Sequence, residues 1–204
     1  MMGMAVPYES TGRTKQKART RGALIEAARE FLSGGVTPTV EQAADAAHVS
    51  RTTAYRYFPN QRALIVATFP EVAAASLLPD DAPRDDPAAR LDAVVDALTR
   101  QLVEHEPELR AQLRLSLESV DGERAELPFR TGRAIGWIEE ALAPLRGRLS
   151  EQALRRLVLA IRSTVGIEAL VWLTDIAALS REEAVDLMRW SARALLGSAL
   201  REDA

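Results

Sequence analysis

Between Ser50 and Tyr57 the chain concentrates groups that can grip a polyanion. Ser50, Arg51, Thr52, Thr53, Tyr55, Arg56 and Tyr57 carry hydroxyls or guanidinium groups, and no acid stands among them. Over about two helical turns Ala54 and Phe58, four apart, are left to face inward. A solvated surface helix mixes Glu with Lys and Arg, so a face of hydroxyls and arginines without carboxylates suits nucleic acid. Arg grips a guanine edge or a phosphate, and hydroxyls donate to phosphate oxygens. The plainer alternative is a surface helix that happens to lack acids.

The elements around this face are short and close together. Val40, Ala43, Ala44 and Ala47 form an i, i+3, i+4, i+7 stripe, and Thr39 with Gln42 fits a capping box ahead of it. Ser50 is a good N-cap for the second helix. Only His48 and Val49 lie between the two. With mostly Ala on the inner faces, two helices joined this closely can cross steeply with their backbones near each other. That is a helix-turn-helix, whose second helix enters the major groove of DNA. On this reading Ser50, Arg51, Thr52 and Tyr55 meet base edges or nearby backbone, with Thr53 on the same helix. Thr39, Arg56, Tyr57 and Gln61 meet phosphate.

The run HVSRTTAYRYFPNQRAL resembles the helix-turn-helix signature of the TetR family of transcriptional regulators, with its Val-Ser pair, Thr, aromatic pair, Phe-Pro-Asn and Ala-Leu. The resemblance extends upstream through Leu24–Phe31 and GGVTPTVEQAA and covers roughly residues 15–66. Beyond that the chain is similar to the family only in helical layout. Two positions depart from the pattern: Gln61 stands where a phosphate-touching Lys is frequent, and His48 where Gly is usual.

Charge is divided along the chain. Residues 1–70 hold nine Lys and Arg against five Asp and Glu, net +4, and residues 71–204 hold 17 against 24, net −7. The positive part suits DNA and the acidic part is kept from it. The chain has no cysteine and two histidines, His48 and His105. That excludes a disulfide framework and a thiolate nucleophile, and makes a histidine-based metal site unexpected. There is no Ser-His-Asp relay, phosphate-cradling Gly-rich loop or metal-ligand cluster in the sequence, so neither enzyme activity nor a cofactor is expected. No apolar run reaches the roughly 18 residues of a membrane span, and MMGMAVPYES lacks the features of a signal peptide, so a cytoplasmic location is expected.

The expected architecture is all-α, with about nine helices in three segments: a flexible basic arm over 1–16, a helix-turn-helix domain over 17–62, and an effector-binding and dimerisation domain over 63–204. Arg13, Lys15, Lys17, Arg19 and Arg21 are either a solvated tail or an arm touching backbone or minor groove. A first helix is expected over 17–32, with Gly34 and Gly35 ending it. A fourth, over 62–78, is interrupted by Pro70, a possible joint. Others follow over 87–104, 107–120 and 128–143. The eighth, over 150–173, is apolar on nearly every face from Leu157 onward and so calls for a second surface to bury it. The ninth opens with a Ser180–Glu183 capping box.

The resemblance implies that these last two helices, about 150–173 and 181–197, pair with those of a second copy, and that helices five to eight, with part of the fourth, enclose a small molecule. The stripe Ile161, Val165, Glu168 and Trp172 places a carboxylate among apolar residues. A buried carboxylate needs a partner, either a ligand or an arginine such as Arg114 or Arg162. His105, Phe129, Trp137, Arg162, Glu168 and Trp172 are the candidates to meet an effector, although aromatic residues at helical spacing are more often plain core. The function expected is a homodimeric regulator of the TetR type, a repressor released from palindromic double-stranded operator DNA by a small molecule. The alternative is a helical ligand-binding or protein-interaction module without sequence-specific DNA binding.

Overall fold

The computed structural model describes residues 8–69, 76–118 and 133–202. They form an all-helical chain in two compact units, Met1–Glu71 and Val72–Ala204, and contain no strand.

The first unit is built from α1 (Tyr8–Ser33), α2 (Val40–Ala46), α3 (Arg51–Tyr57) and α4 (Gln61–Thr68). Its core joins Leu24, Ile25 and Ala28 of α1 to Val40, Ala43 and Ala44 of α2, Ala54 of α3, Phe58, and Leu64 of α4. Alanines at the centre let the short helices approach closely. The starts of α2 and α3 are fixed by the residues expected to fix them, and that of α4 by Asn60. Thr39 and Gln42 form a capping box on α2, Ser50 caps α3, and Asn60 accepts from the Ala63 amide at the start of α4. In the corner between α2 and α3, His48 takes a positive φ of 53°.

The sequence reading differs from this unit in three places. α1 begins at Tyr8, so residues 8–16, expected as an arm, are helical. The basic run contains no proline, and Lys and Arg are good helix formers. Second, α4 ends at Thr68 and residues 76–78 are not helical, so no helix continues to 78. Pro70 lies outside the described residues. Third, α4 packs on α1, which carries the first unit to Glu71 rather than to residue 62.

The second unit holds α5 (Pro87–Glu104), α6 (Glu106–Leu117), α7 (Arg133–Ala141), a 3-10 turn (Ala143–Leu145), α8 (Glu151–Thr164), α9 (Ile167–Val171), a π-helical turn (Trp172–Ile176) and α10 (Arg181–Glu202). α10 packs on α5 and α8, α7 on the same two helices, and α6 on α9. Val94, Ile138, Leu142, Val158, Ile161 and Leu170 are fully buried between them. Asp86 caps α5, with Pro87 at its first position. Ser180 and Glu183 close the capping box expected on α10. Asp92 and Asp96, four apart on α5, receive Arg193 and Arg189, four apart on α10. Residues 119–132 lie outside the described part, so the expected start of a helix at Pro128 does too.

The long apolar helix expected over 150–173 is broken. α8 stops at Thr164, Val165 and Gly166 are extended, and α9 restarts at Ile167. The Arg162 guanidinium folds over Gly166: a Cβ there would lie 2.1 Å from Nη1, so any larger residue would need that side chain to swing aside. The break resets the helical phase. Ile161 and Val165 are buried as expected, but Glu168 and Trp172, assigned to the same stripe, are exposed. No single described helix is long and apolar enough to cross a membrane.

Candidate nucleic-acid interface

α3 turns Ala54 fully inward and ends on buried Phe58, which leaves its remaining side chains at the surface. Ser50, Arg51, Thr52, Tyr55 and Arg56 are exposed, and Thr53 and Tyr57 are half-buried. Ser50 accepts the Thr53 amide at 3.3 Å and donates its hydroxyl to Thr53 Oγ1 at 2.9 Å. The serine thus stiffens the first turn of the helix it caps. Arg56 lies over the ring of Tyr57, 5.7 Å from its centroid.

α1 adds charge beside this face. Lys15, Lys17, Arg19 and Arg21 are exposed along it. Arg21 sits over the Phe58 ring at 5.5 Å, so an aromatic at the end of α3 holds one of these cations in place.

The face is free of acids on α3 itself, but the fold brings two to it from α2. Tyr55 donates its hydroxyl to Glu41 in a short hydrogen bond. Arg51 Nη2 lies 3.6 Å from Asp45 Oδ2, with both side chains about two-thirds exposed. Glu41 and Asp45 are one turn apart on α2 and meet Arg51 and Tyr55, one turn apart on α3. The bond from Tyr55 holds the Glu41 carboxyl below its usual range, and the same bond pushes the Tyr55 phenol up. Sequence reading treated α3 alone and missed these partners. The i, i+4 spacing of two acids on the preceding helix was the available signal.

Thr39 is exposed, but its hydroxyl is occupied in capping α2. Gln61 is directed inward to the chain: its Nε2 donates to the carbonyls of Pro38 at 3.0 Å and Thr37 at 3.4 Å. It splices the start of α4 to the segment leading into α2, a structural role that its expected place on phosphate did not include.

The residues expected around an effector do not converge. Trp137 is buried in α7, and His105 is half-buried where α5 passes into α6. Arg162 is half-buried and donates to the Val165 carbonyl at 3.2 Å. It also meets Glu168 at 3.5 Å, but that carboxylate has half its side-chain surface in water. Glu168 is therefore no buried charge in need of a ligand, and Trp172 is 58% exposed. Phe129 lies outside the described residues. A cavity of about 350 Å³ opens elsewhere, between α7 and α8, and is lined by Leu149, Leu154 and Val158 with Glu139, Arg146 and Arg155. Two polar groups were not singled out from sequence. Gln112 on α6 is buried with no partner for its Nε2. Glu106 is buried and bound by Arg110 and Arg181. Among the described residues no cluster of His, Asp and Glu has the arrangement of a metal site.

Residues 24–68 match the family model of the bacterial regulatory proteins of the tetR family. No curated protein matches the sequence. Among solved structures, the fold is similar to a TetR transcriptional regulator from Rhodococcus sp. RHA1, with a TM-score of 0.55 and 18% identity over 88% of this chain and 97% of that one. A TetR-family transcriptional regulator from Streptomyces coelicolor shows a TM-score of 0.48 and 20% identity over 89% of this chain and 98% of that one. The matched segment runs from the core of α1 to the last residue of α4 and contains the whole α2–α3 face. Over this helix-turn-helix segment the chain is similar to the bacterial regulatory proteins of the tetR family.

Proposed function

We propose that the protein is a homodimeric transcriptional repressor that reads a palindromic operator and leaves it when a small molecule binds. The observation that carries the reading is the exposed face of α3, with Arg51, Thr52, Tyr55 and Arg56 turned outward while Ala54 and Phe58 anchor the helix. Arg51 and Tyr55 face base edges, and Arg56, Tyr57 and Thr39 lie toward the phosphates. Gln61 acts indirectly, by fixing the start of α4 through Pro38. Two-fold symmetry calls for half-sites about 34–36 Å apart or a multiple of that.

The dimer reading is supported by the apolar side chains left in water on the C-terminal elements. Trp172 is 58%, Ile176 71% and Trp190 66% exposed, and Leu159 and Leu187 are partly so. Large apolar groups on adjoining elements are what a second copy would cover. For the effector, buried Gln112, whose Nε2 has no partner, is the group that supports the reading, since it offers a donor to a ligand. A ligand there shifts the protein only by its differential affinity for the DNA-binding and released states.

The test is stoichiometry. Sedimentation equilibrium of the full chain, alone and with a duplex from the region upstream of its own coding sequence, should give two chains free and two per bound duplex. A single chain in solution that retains no duplex would leave the ligand-binding module without DNA recognition as the better reading.

A further inference from the structure

Tyr55 has one O–H, and Glu41 accepts it. What remains outward on the phenolic oxygen is lone pairs, so in this arrangement Tyr55 can accept a hydrogen bond but not donate one. Phosphate oxygens are acceptors as well, and a carboxylate stands behind the phenol. The pair is therefore unsuited to the DNA backbone. In the major groove the donors are exocyclic amino groups, N4 of cytosine and N6 of adenine, whereas guanine and thymine present acceptors.

We propose that Glu41 fixes Tyr55 as a hydrogen-bond acceptor that reads one such amino group in each operator half-site. This rests on the DNA-binding reading given above. Tyr55 is 41% exposed, enough to reach a base edge. Its partner is on α2, which the buried Ala43, Ala44 and Ala54 hold close to α3. The phenol holds its proton more tightly than usual and the carboxyl gives up its own more readily, so the tyrosine stays protonated toward Glu41 across the neutral range. The neighbouring Arg51 and Thr52 carry donors, and Tyr55 supplies the complementary acceptor. Glu41 is then a positioning residue acting through Tyr55.

The test is sequence selection from a pool of random duplexes with the full-length parent, Tyr55→Phe, Glu41→Ala and Glu41→Gln. The parent should enrich a two-fold motif, and Tyr55→Phe should lose preference at one base pair per half-site while keeping the rest. Glu41→Ala should lose the same preference. Glu41→Gln should keep it, because its amide oxygen accepts the same O–H. At that base pair, an analogue lacking only the amino group is then introduced, purine for adenine or 2-pyrimidinone for cytosine. The parent should bind it roughly three- to ten-fold more weakly, the value of one hydrogen bond, and Tyr55→Phe should be indifferent. A motif unchanged in Tyr55→Phe, or an analogue that weakens parent and variant equally, would overturn the role of the tyrosine and leave DNA binding standing. Enrichment of nothing by the parent would remove the regulator reading and this inference together.

Discussion

Arg29 of α1 donates from Nε to the carbonyl of Thr68, 2.7 Å away, at the last residue of α4. A cation at that end meets a carbonyl that no intrahelical amide can satisfy and complements the helix dipole. The bond spans 39 residues of sequence and closes the first unit by tying its last helix to its first. Arg29→Met keeps the aliphatic stem and removes the charge. It should lower stability by about 1–2 kcal/mol, in line with a charge-assisted hydrogen bond that is only part-buried. Urea unfolding of the full chain, followed by helical circular dichroism, measures it. A midpoint equal to the parent's would show the carbonyl to be adequately served by water.

His48 occupies the left-handed region, φ 53°, in the corner between α2 and α3. A side chain there crowds its own carbonyl, and glycine does not. His48→Gly should raise stability by about 0.5–1 kcal/mol after the extra freedom of glycine in the unfolded chain is discounted. Thermal unfolding decides the sign, and a lower midpoint would mean that the imidazole holds the corner through contacts worth more than the strain.

Glu106 is 4% exposed and takes Arg181 Nε at 2.5 Å and Arg110 Nε at 2.7 Å. Burial works against its charge, but the bonds from the two arginines prevail and hold its carboxyl below the usual range. Arg110 also grips Asp175 at 2.6 and 2.8 Å, and that bond, with Thr174, brings Asp175 down to about 2. Both acids have folded values below their unfolded ones. Their contribution to stability is complete above the unfolded value, near pH 4, and is lost as pH falls toward 2. Glu106→Gln should lower stability at pH 7 by about 1–3 kcal/mol, less than for a wholly buried pair because Arg181 reaches water. Melting curves between pH 7 and 2.5 should also be flatter for Asp175→Asn than for the parent below pH 4. Parallel curves would contradict the assignment.

Asp45 stands 3.6 Å from Arg51 with both side chains well exposed. An exposed pair of this kind is worth under about 1 kcal/mol, so on the proposed reading DNA takes Arg51 from it at little cost, while the carboxylate repels the charge of the duplex. Asp45→Asn should tighten binding to duplex DNA of any sequence roughly two- to ten-fold at low salt, with the gain shrinking as salt rises. Weaker binding by the variant would show that Asp45 orients Arg51 rather than competing for it.

What was legible in the sequence is what neighbours three or four residues apart decide. Thr39 with Gln42, Ser50 with Thr53, Asn60 with Ala63 and Ser180 with Glu183 each place a helix start from local chemistry. The inward Ala54 and outward Arg51 followed from the same periodicity. What was not legible depends on helices crossing. Glu41 and Tyr55 are 14 residues apart, and Gln61 and Pro38 are 23 apart. Glu41 and Asp45, four apart on α2, were the one local hint of the first pair, and the second pair had none. Two of the effector candidates, Glu168 and Trp172, lie at the surface for a different reason. The chain leaves the helix at Val165 and Gly166, and the residues after the break take a different phase from the one that the apolar pattern assigned. Glu168 and Trp172 consequently moved from interior to surface.

On the proposed reading, the outward face of α3 reads DNA through Arg51. Fluorescence anisotropy with a labelled duplex from the protein's own upstream region, and with a random duplex of equal length, measures it across a salt series for the parent and for Arg51→Ala. The variant should bind the specific duplex weaker by about 1–3 kcal/mol, with its preference over the random duplex reduced by a similar amount. Equal affinity of parent and variant for both duplexes would contradict the claim.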